Sequence, residues 1–473
     1  MTRPLRIWPW LVLGLAAGVL VLAEPALRQV LPRQIWIALG LGEAPLRFLP
    51  LALTGLIAAG LGLHVLRAMP DFATGALAAL LAAAQVNGVG AGPLDLFDLA
   101  LGLVFLGWIA RFALDADRPL RLSFLFFVTG GFLLLALAHL PVMSPVKWLV
   151  GLVGVIRISL ISLLIVDMLR SRAVIDNTLF ALVVVAACSA AVGVVQFGLA
   201  YFGLYYFTLI DPPVTAFKPT PIGFVMRASG FCETAQHYSS FLLYALPAAL
   251  WRLSDRMRLG DLLVCLLLLA GITVAFNFAA IFGAALILTL FPLLRWPDRA
   301  IQIVLFGMAL LVTAYYAGLA ELIHDVTFGD SGVAKGVDQR RMLFQLGLEQ
   351  VARNPWFGTG LGGFGAVDGN FWDRPVHNIF GQSAAELGIL GFLLILSVFL
   401  VLPLDLGAVL MRGSPDRAAA AQSLMMVLGG LVASQAEPNL QQSNLWLVLA
   451  LAQAVILTAA RSQDHGRQPQ QPQ

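Results

Sequence analysis

Long apolar runs separated by short polar segments dominate the pattern of this chain. Stretches such as 11–23 and 262–275 are continuously apolar and lack the alternation of a barrel strand. A helix needs about 20 apolar residues to cross a bilayer. The pattern therefore predicts about fourteen transmembrane helices, near 8–23, 46–66, 72–91, 94–113, 121–140, 147–169, 175–200, 236–251, 261–276, 279–295, 300–320, 379–403, 419–436 and 443–460.

Composition supports a membrane rather than a soluble protein. The chain is 59% hydrophobic and 12% charged, whereas a soluble domain is roughly 25% charged. A soluble protein of this composition would expose large apolar patches. In lipid, a spanning segment must pair its own backbone polar groups, which favours helices here. We therefore expect an all-α, polytopic membrane helix bundle.

The positions of the 29 basic residues predict the orientation of the chain. Arginines cluster in every second short connection, and the positive-inside rule places such connections in the cytoplasm. This alternation holds along the chain, so the span number is even and both termini are predicted to be cytoplasmic. The net charge of +3 adds little to this assignment.

Two long segments on the opposite side divide the chain. The predicted regions are N-terminal spans in 1–200, a first extracytoplasmic loop in 201–235, central spans in 236–320, a large helical loop in 321–378, C-terminal spans in 379–460 and a disordered cytoplasmic tail in 461–473. Loops of this length are usually functional or disordered. Both contain aromatic residues and carry basic residues against the positive-inside bias, so a function is expected for them.

The first long loop places Arg227 and Glu233 just before an apolar span. Thr234 is a suitable N-cap for that span, and the positive end of a helix favours anions. The arrangement fits an anion-binding site at the membrane surface. An interfacial salt bridge between Arg227 and Glu233 is an equally simple explanation.

The second long loop contains an amphipathic helix that begins near Arg340 and Arg341. Its apolar residues recur at helical spacing, and Asn354-Pro355 ends it. A glycine-rich turn follows at 358–365. It lacks the Lys-Ser/Thr pair and the preceding strand of a P-loop, so we expect it to pack tightly near the membrane.

The end of this loop and the following span add further polar residues. Arg374 and the pair His377-Asn378 precede the span, and Glu386 lies within it. Arg157 lies near the middle of another span, where a charge is costly and usually functional. A partner such as Asp98 or Glu386, or a polar cavity, would each account for it.

These motifs resemble those of the O-antigen ligase and polysaccharide polymerase superfamily. The similarity covers about 220–400 and includes a glycine, Gly388, eleven residues after His377. The chain departs from the family at the turn Phe276-Asn277-Phe278, where relatives often carry Ser-Arg, and at Gly381, where an apolar residue is usual.

The resemblance implies a glycosyltransferase at the outer face of the bacterial inner membrane. Its donor would be a polyprenyl-diphosphate-linked glycan, its acceptor a glycan or lipid, and it would need no metal or other cofactor. Other polysaccharide export proteins are possible partners in the bilayer, and no nucleic acid is expected.

The residue types agree with this chemistry. Arginines suit a diphosphate, and a histidine suits the removal of a proton from an acceptor hydroxyl. We therefore assign diphosphate binding to Arg227 and to Arg340 or Arg341, and base catalysis to His377, with Glu233 as the reserve base or an orienting partner. Possible supporting residues are Asn378, Arg374, Glu386 and Arg157.

Two reactions and one other class of protein stay open. A polymerase extends a lipid-linked chain with repeat units, whereas a ligase transfers the finished glycan to lipid A core or protein. The His-Asn pair favours the polymerase. A transporter is the alternative class, but we find no convincing internal repeat of the kind that transporters carry.

Overall fold

The computed structural model describes residues 72–86, 90–91, 94–114, 119–140, 143, 145–200, 202, 217–220, 223–316, 332–371, 374–438 and 440–467. This part of the chain is predominantly helical. Its helices are α1 Phe72–Ala83, α2 Leu96–Leu114, α3 Phe124–Ala138, α4 Pro145–Met168, α5 Arg172–Ala200, α6 Ala235–Arg256, α7 Leu259–Val274, α8 Phe278–Arg295, α9 Ala300–Tyr316, α10 Gly332–Arg353, α11 Ile379–Met411, α12 Arg417–Ala433 and α13 Ser443–Arg467. The predicted spans at 8–23 and 46–66 lie outside the described residues.

Six helices of the described chain are long and apolar enough to cross a membrane, which indicates a membrane protein. They are α2, α4, α5, α8, α11 and α13. Helices α1, α3, α7 and α12 are apolar but shorter. On α2, Leu99, Leu103 and Leu106 are between 61% and 63% exposed and recur at helical spacing. Lipid is the solvent that makes such a face favourable.

Two short hairpins depart from the all-α prediction. The span predicted at 72–91 ends at Ala83, and Gly90–Ala91 (β1) pairs antiparallel with Leu94–Asp95 (β2). Several glycines follow Ala83 in the sequence, and glycine disfavours a helix interior. In the first long loop, Phe217–Thr220 (β3) pairs with Gly223–Met226 (β4).

The other predicted spans of the described chain coincide with helices. The predicted break near 276–278 is also present, since α7 ends at Val274 and α8 begins at Phe278. Phe276 there has a φ of 47°, in the left-handed region that disfavours a further helical turn. At the C-terminal end, α13 continues to Arg467, so the first part of the predicted disordered tail is helical.

The chain divides into two compact units. The first contains 1–100, 176–217 and 226–277, and the second contains 101–175, 218–225 and 278–473. In the first unit, Tyr238, Phe241 and Tyr244 of α6 are fully buried. In the second, Trp446 of α13 packs edge-to-face on Phe132 of α3, with ring centroids 6.1 Å apart.

A buried carboxylate joins several helix ends in the second unit. Asp167 at the end of α4 accepts hydrogen bonds from the Trp108 indole at 2.9 Å and from the Arg121 backbone N–H at 3.2 Å, and it pairs with Arg170. The Arg121 guanidinium donates to the carbonyls of Leu169 and Leu457. This cluster lies at connections that the arginine pattern predicts to be cytoplasmic.

Candidate functional site

The predicted site residues are divided between the two units. Arg227 and Glu233 belong to the first unit, and the remaining ones belong to the second. Each group is described within its own unit below.

Arg227 contacts the end of α7. Its Nε donates to the carbonyl of Ala275 at 2.9 Å, and the Ala228 N–H donates to the carbonyl of Val274 at 3.0 Å. The side chain is half-buried. The guanidinium is therefore anchored beside the turn 275–277.

Asn277 in this turn is tied to α6. Its side chain is buried, and its Nδ2 donates to Ser239 Oγ at 2.9 Å. An amide that is buried in this way satisfies its polar atoms within the protein. The residue that departs from the family pattern thus connects the turn to a neighbouring helix, and Arg227 provides a cation at the same turn.

The loop segment after Arg227 is held by Gln196 of α5, a residue that the sequence analysis did not identify. Gln196 Oε1 accepts from the N–H groups of Ser229 and Gly230 at 3.2 and 2.9 Å, and its Nε2 donates to the Gly230 carbonyl at 2.8 Å. Gly230 has a φ of 57°, which favours glycine. The hint in the sequence is an amide within the apolar second half of a long helix.

The start of α6 confirms the predicted N-cap. Thr234 Oγ1 accepts a hydrogen bond from the N–H of His237 at 3.2 Å. Glu233 immediately precedes the cap, and its side chain is exposed. A carboxylate at this position is favoured by the positive end of the helix.

In the second unit, α10 packs on the segment that leads into α11. Leu343 of α10 forms a buried cluster with Phe364, Val376 and Ala385. The predicted amphipathic helix is therefore present, although it begins at Gly332, before the predicted start. Its apolar side faces the start of α11, and this packing fixes the position of Arg340, one turn before Leu343.

His377 is the centre of the cationic group in this unit. Its Nδ1 lies 3.1 Å from the carbonyl oxygen of Pro375. The pKa of His377 is lowered to about 4, first by burial and then by the positive charges of Arg340 and Arg374, while the Pro375 contact opposes this shift. The imidazole is thus neutral at pH 7. A carbonyl can only accept, so the proton resides on Nδ1 and leaves Nε2 as a proton acceptor.

The two adjacent arginines of α10 differ in the effect of their charge on His377. Arg340 is the one whose charge acts on His377. Burial lowers the pKa of Arg340, and the negative charge of Glu437 opposes this effect. Both Arg340 and Arg341 are exposed to solvent.

Asn378 caps α11. Its Oδ1 accepts from the N–H groups of Phe380 and Gly381 at 3.0 and 2.9 Å. Its Nδ2 donates to Gln435 Oε1 at 2.8 Å. The residue next to His377 therefore has a structural role and connects this site to the segment after α12.

The glycine-rich turn packs closely, as predicted, and the surface on which it packs is a kink in α11 that the sequence did not predict. Gly388 has a φ of 67° and a ψ of −164° and interrupts the helix. We call residues 354–363 the strap. Its Thr359 and Gly360 N–H groups donate to the carbonyls of Ala385 and Glu386 at 3.0 and 2.8 Å. In return, the Ile389 N–H donates to the strap carbonyl of Pro355 at 2.8 Å.

The carboxylate of Glu386 also binds the strap. It is 1% exposed and accepts from the Gly362 N–H at 3.1 Å and from Gln382 Nε2 at 3.4 Å. Glu386 was one predicted partner of Arg157. The partners of its carboxylate are instead Gly362 and Gln382. Arg157 lies in α4 and is partly exposed.

The sequence matches no protein-family model, and no curated protein is significantly similar to it. Within the described ranges, no group of three or more His, Cys, Asp or Glu side chains is arranged to hold a metal ion. The arrangement of the second unit can bind an anion at its arginines and accept a proton at His377.

Proposed function

We propose that the protein is a membrane glycosyltransferase that polymerises polyprenyl-diphosphate-linked repeat units at the outer face of the bacterial inner membrane. The observation that carries this proposal is the neutral His377 beside Arg340 and Arg374, at the start of a long apolar helix. A proton acceptor next to cations, at the end of a membrane-spanning segment, suits a lipid-linked anionic donor and a hydroxyl acceptor.

In the proposed reaction, a hydroxyl of the acceptor glycan attacks the anomeric carbon of the donor. The new glycosidic C–O bond forms as the bond from the anomeric carbon to the diphosphate oxygen breaks. The hydroxyl proton passes to Nε2 of His377, and the polyprenyl diphosphate leaves as an anion. Arg340 stabilises the charge that develops on it. The resemblance assigns Arg227 of the first unit to the diphosphate as well.

Ligation of a finished glycan to lipid A core or protein is the second candidate. The spacing from His377 to Gly388 is the one that ligases of the superfamily carry. The helical segment that begins after His377 is interrupted at Gly388. The spacing between these two residues therefore sets the length of helix between the histidine and the strap. Both candidates use the same donor chemistry.

The test compares His377→Ala and Arg227→Ala with the wild-type gene in a deletion strain. Each variant should abolish polysaccharide production while membrane insertion stays normal. Arg353→Ala is the control, because Arg353 is 65% exposed at the end of α10. Accumulated single repeat units would indicate a polymerase, and accumulated long chains a ligase. Full complementation by both variants would refute the assignment.

A further inference from the structure

Helix α11 is longer than a bilayer requires. It contains 33 residues and is about 50 Å long, whereas the hydrocarbon core of a bilayer is about 30 Å thick. Transmembrane helices are tilted by at most about 40°, so part of α11 must lie outside the core. The kink at Gly388 divides the helix into residues 379–387, here called the entry segment, and residues 389–411.

The surface of α11 changes at this kink. The entry segment, all of which the structure describes, exposes no large hydrophobic side chain, and its Gln382, Ser383 and Glu386 are buried. It is covered by α10 and the strap. Exposed apolar residues begin directly after the kink and form one apolar face of α11: Ile389, Leu390, Leu393, Leu400, Leu404 and Met411. Lipid is the solvent that suits such a face.

The distribution of charge also fits a core that begins at the kink. Residues 389–404 contain no charged side chain, and Asp405, the next residue, is exposed. This uncharged stretch is about 24 Å long, close to the thickness of a hydrocarbon core. If the core began at Ile379 instead, the exposed Leu404 would lie about 8 Å beyond its inner surface.

The strap places two exposed aromatic side chains beside the kink. Its Pro355 carbonyl accepts from the Ile389 N–H at 2.8 Å, so Trp356 lies next to the first residue of the apolar face. Trp356 is 64% exposed and Phe357 is 51% exposed. Tryptophan is enriched where hydrocarbon meets headgroups, because its ring is apolar and its N–H is polar.

The ends of two other helices lie beside the strap or close to it. The Phe357 ring packs edge-on against His139, with ring centroids 6.5 Å apart, and His139 is the C-cap of α3. Trp148 in the first turn of α4 donates to the Ala136 carbonyl of α3 at 2.8 Å. The arginine pattern predicts that these helix ends are extracytoplasmic, so both tryptophans belong to the outer side.

We propose that the outer surface of the hydrocarbon core crosses α11 at Gly388 and that Trp356 and Phe357 insert among the lipid headgroups of the outer leaflet. The apolar face of α11 continues onto these two side chains, and the strap anchors the large loop to the membrane. The entry segment extends about 14 Å along its axis beyond the core, which places His377 outside the hydrocarbon. This inference does not depend on the proposed function, because it requires no reaction.

Spin labels test the proposal in vesicles of phosphatidylethanolamine and phosphatidylglycerol. The native cysteines are buried, so the wild-type protein should take up no label. Trp356→Cys is the test variant. Leu393→Cys on the apolar face of α11 and Glu349→Cys at an exposed position of α10 are the controls. Depth is measured from collisions with oxygen, which dissolves in lipid, and with a nickel chelate, which stays in water.

The label at position 356 should lie at headgroup level, the label at 393 about 6 Å deeper along the helix axis, and the label at 349 in water. Equal nickel collision rates at 356 and 349 would place the strap in water and overturn the proposal. Equal depths at 356 and 393 would place the boundary before Gly388 and overturn it as well. Protection at 356 from both reagents would show a protein partner, such as a second copy, in place of lipid.

Trp356→Phe provides a second test that keeps an aromatic ring in the strap. The wild type contains ten tryptophans, and the difference in fluorescence between the two proteins isolates Trp356. Lipids brominated near the headgroup end of the acyl chain should quench this difference more strongly than lipids brominated at the far end of the chain. Equal quenching by the two lipids, or none by either, would contradict a headgroup position of Trp356.

Discussion

His377 and the cations around it make a specific prediction at the scale of single residues. The pKa of this histidine is about 4 because of burial and of the positive charges of Arg340 and Arg374. A reaction that needs the neutral imidazole should therefore persist well below pH 6.5 and decline only as the pH approaches about 4. Removal of one cation raises the pKa, because less repulsion opposes protonation. In Arg340→Gln, the acid limb of kcat/KM should accordingly move to higher pH.

The measurement is the pH dependence of glycan transfer in the wild type and the variant. Arg353→Gln provides the control, since it removes the same charge from an exposed position on the same helix. Its acid limb should match that of the wild type. An acid limb near pH 6.5 in the wild type would contradict the described environment of His377.

At this scale, the sequence was enough to select His377 and the pair of arginines in α10. It could not choose between Arg340 and Arg341, because the choice depends on which of the two charges acts on His377 in the folded chain. Gln196 was missed for a related reason. It binds residues far away in the chain and belongs to no recognisable local pattern.

At the scale of elements, the kink of α11 predicts a strong effect of one methyl group. A Cβ at Gly388 would lie 2.3 Å from the backbone carbon of Trp356 and 2.4 Å from its oxygen. The φ of 67° is also unfavourable for any residue with a side chain. Gly388→Ala should therefore destabilise the protein by about 2 kcal/mol or more.

Thermal unfolding in detergent is the appropriate measurement. Gly407→Ala is the control, because it makes the same change in the same helix at a position with no atom within 4 Å of the added carbon. The control should leave Tm nearly unchanged. Equal Tm values for the two variants would show that the strap does not need a glycine at position 388.

The helices were more predictable than the short strands. Long apolar runs and the amphipathic repeat of α10 follow from residue periodicity, and Asn354-Pro355 defines the end of α10. The β1–β2 and β3–β4 hairpins have strands of two to four residues, too short for an alternating pattern to emerge. The predicted span at 72–91 was too long because its apolar residues continue beyond the last helical turn.

For the whole molecule, the arginine pattern predicts a testable topology. A reporter fused after Asp330 should behave as extracytoplasmic, because this position precedes α10 within the large loop. A reporter inserted after Gly413, between α11 and α12, should behave as cytoplasmic. Paired phosphatase and fluorescent fusions measure both positions. A cytoplasmic result after Asp330 would reverse the orientation and remove the site from the outer face.

The helical class followed from the long continuous apolar runs, since a strand of a membrane barrel would alternate apolar and polar residues. The division into two units did not. The first unit combines segments that are far apart in sequence, such as the segment that ends at residue 100 and the segment 226–277. Contacts such as that between Trp108 and Asp167 also join distant parts of the chain. Local periodicity contains no information on such pairings.

The strap has a consequence for how a substrate could reach the site. The strap provides hydrogen-bond partners for backbone groups of α11 that the kink at Gly388 leaves without helical partners. Movement of the strap away from α11 would leave these groups unpaired in apolar surroundings. Three backbone hydrogen bonds join α11 at the kink to the strap, and we expect them to oppose a hinged opening of the strap. Under the proposed function, the polyprenyl chain of the donor must approach His377 sideways, by diffusion within the bilayer, and the spent carrier must leave by the same lateral route.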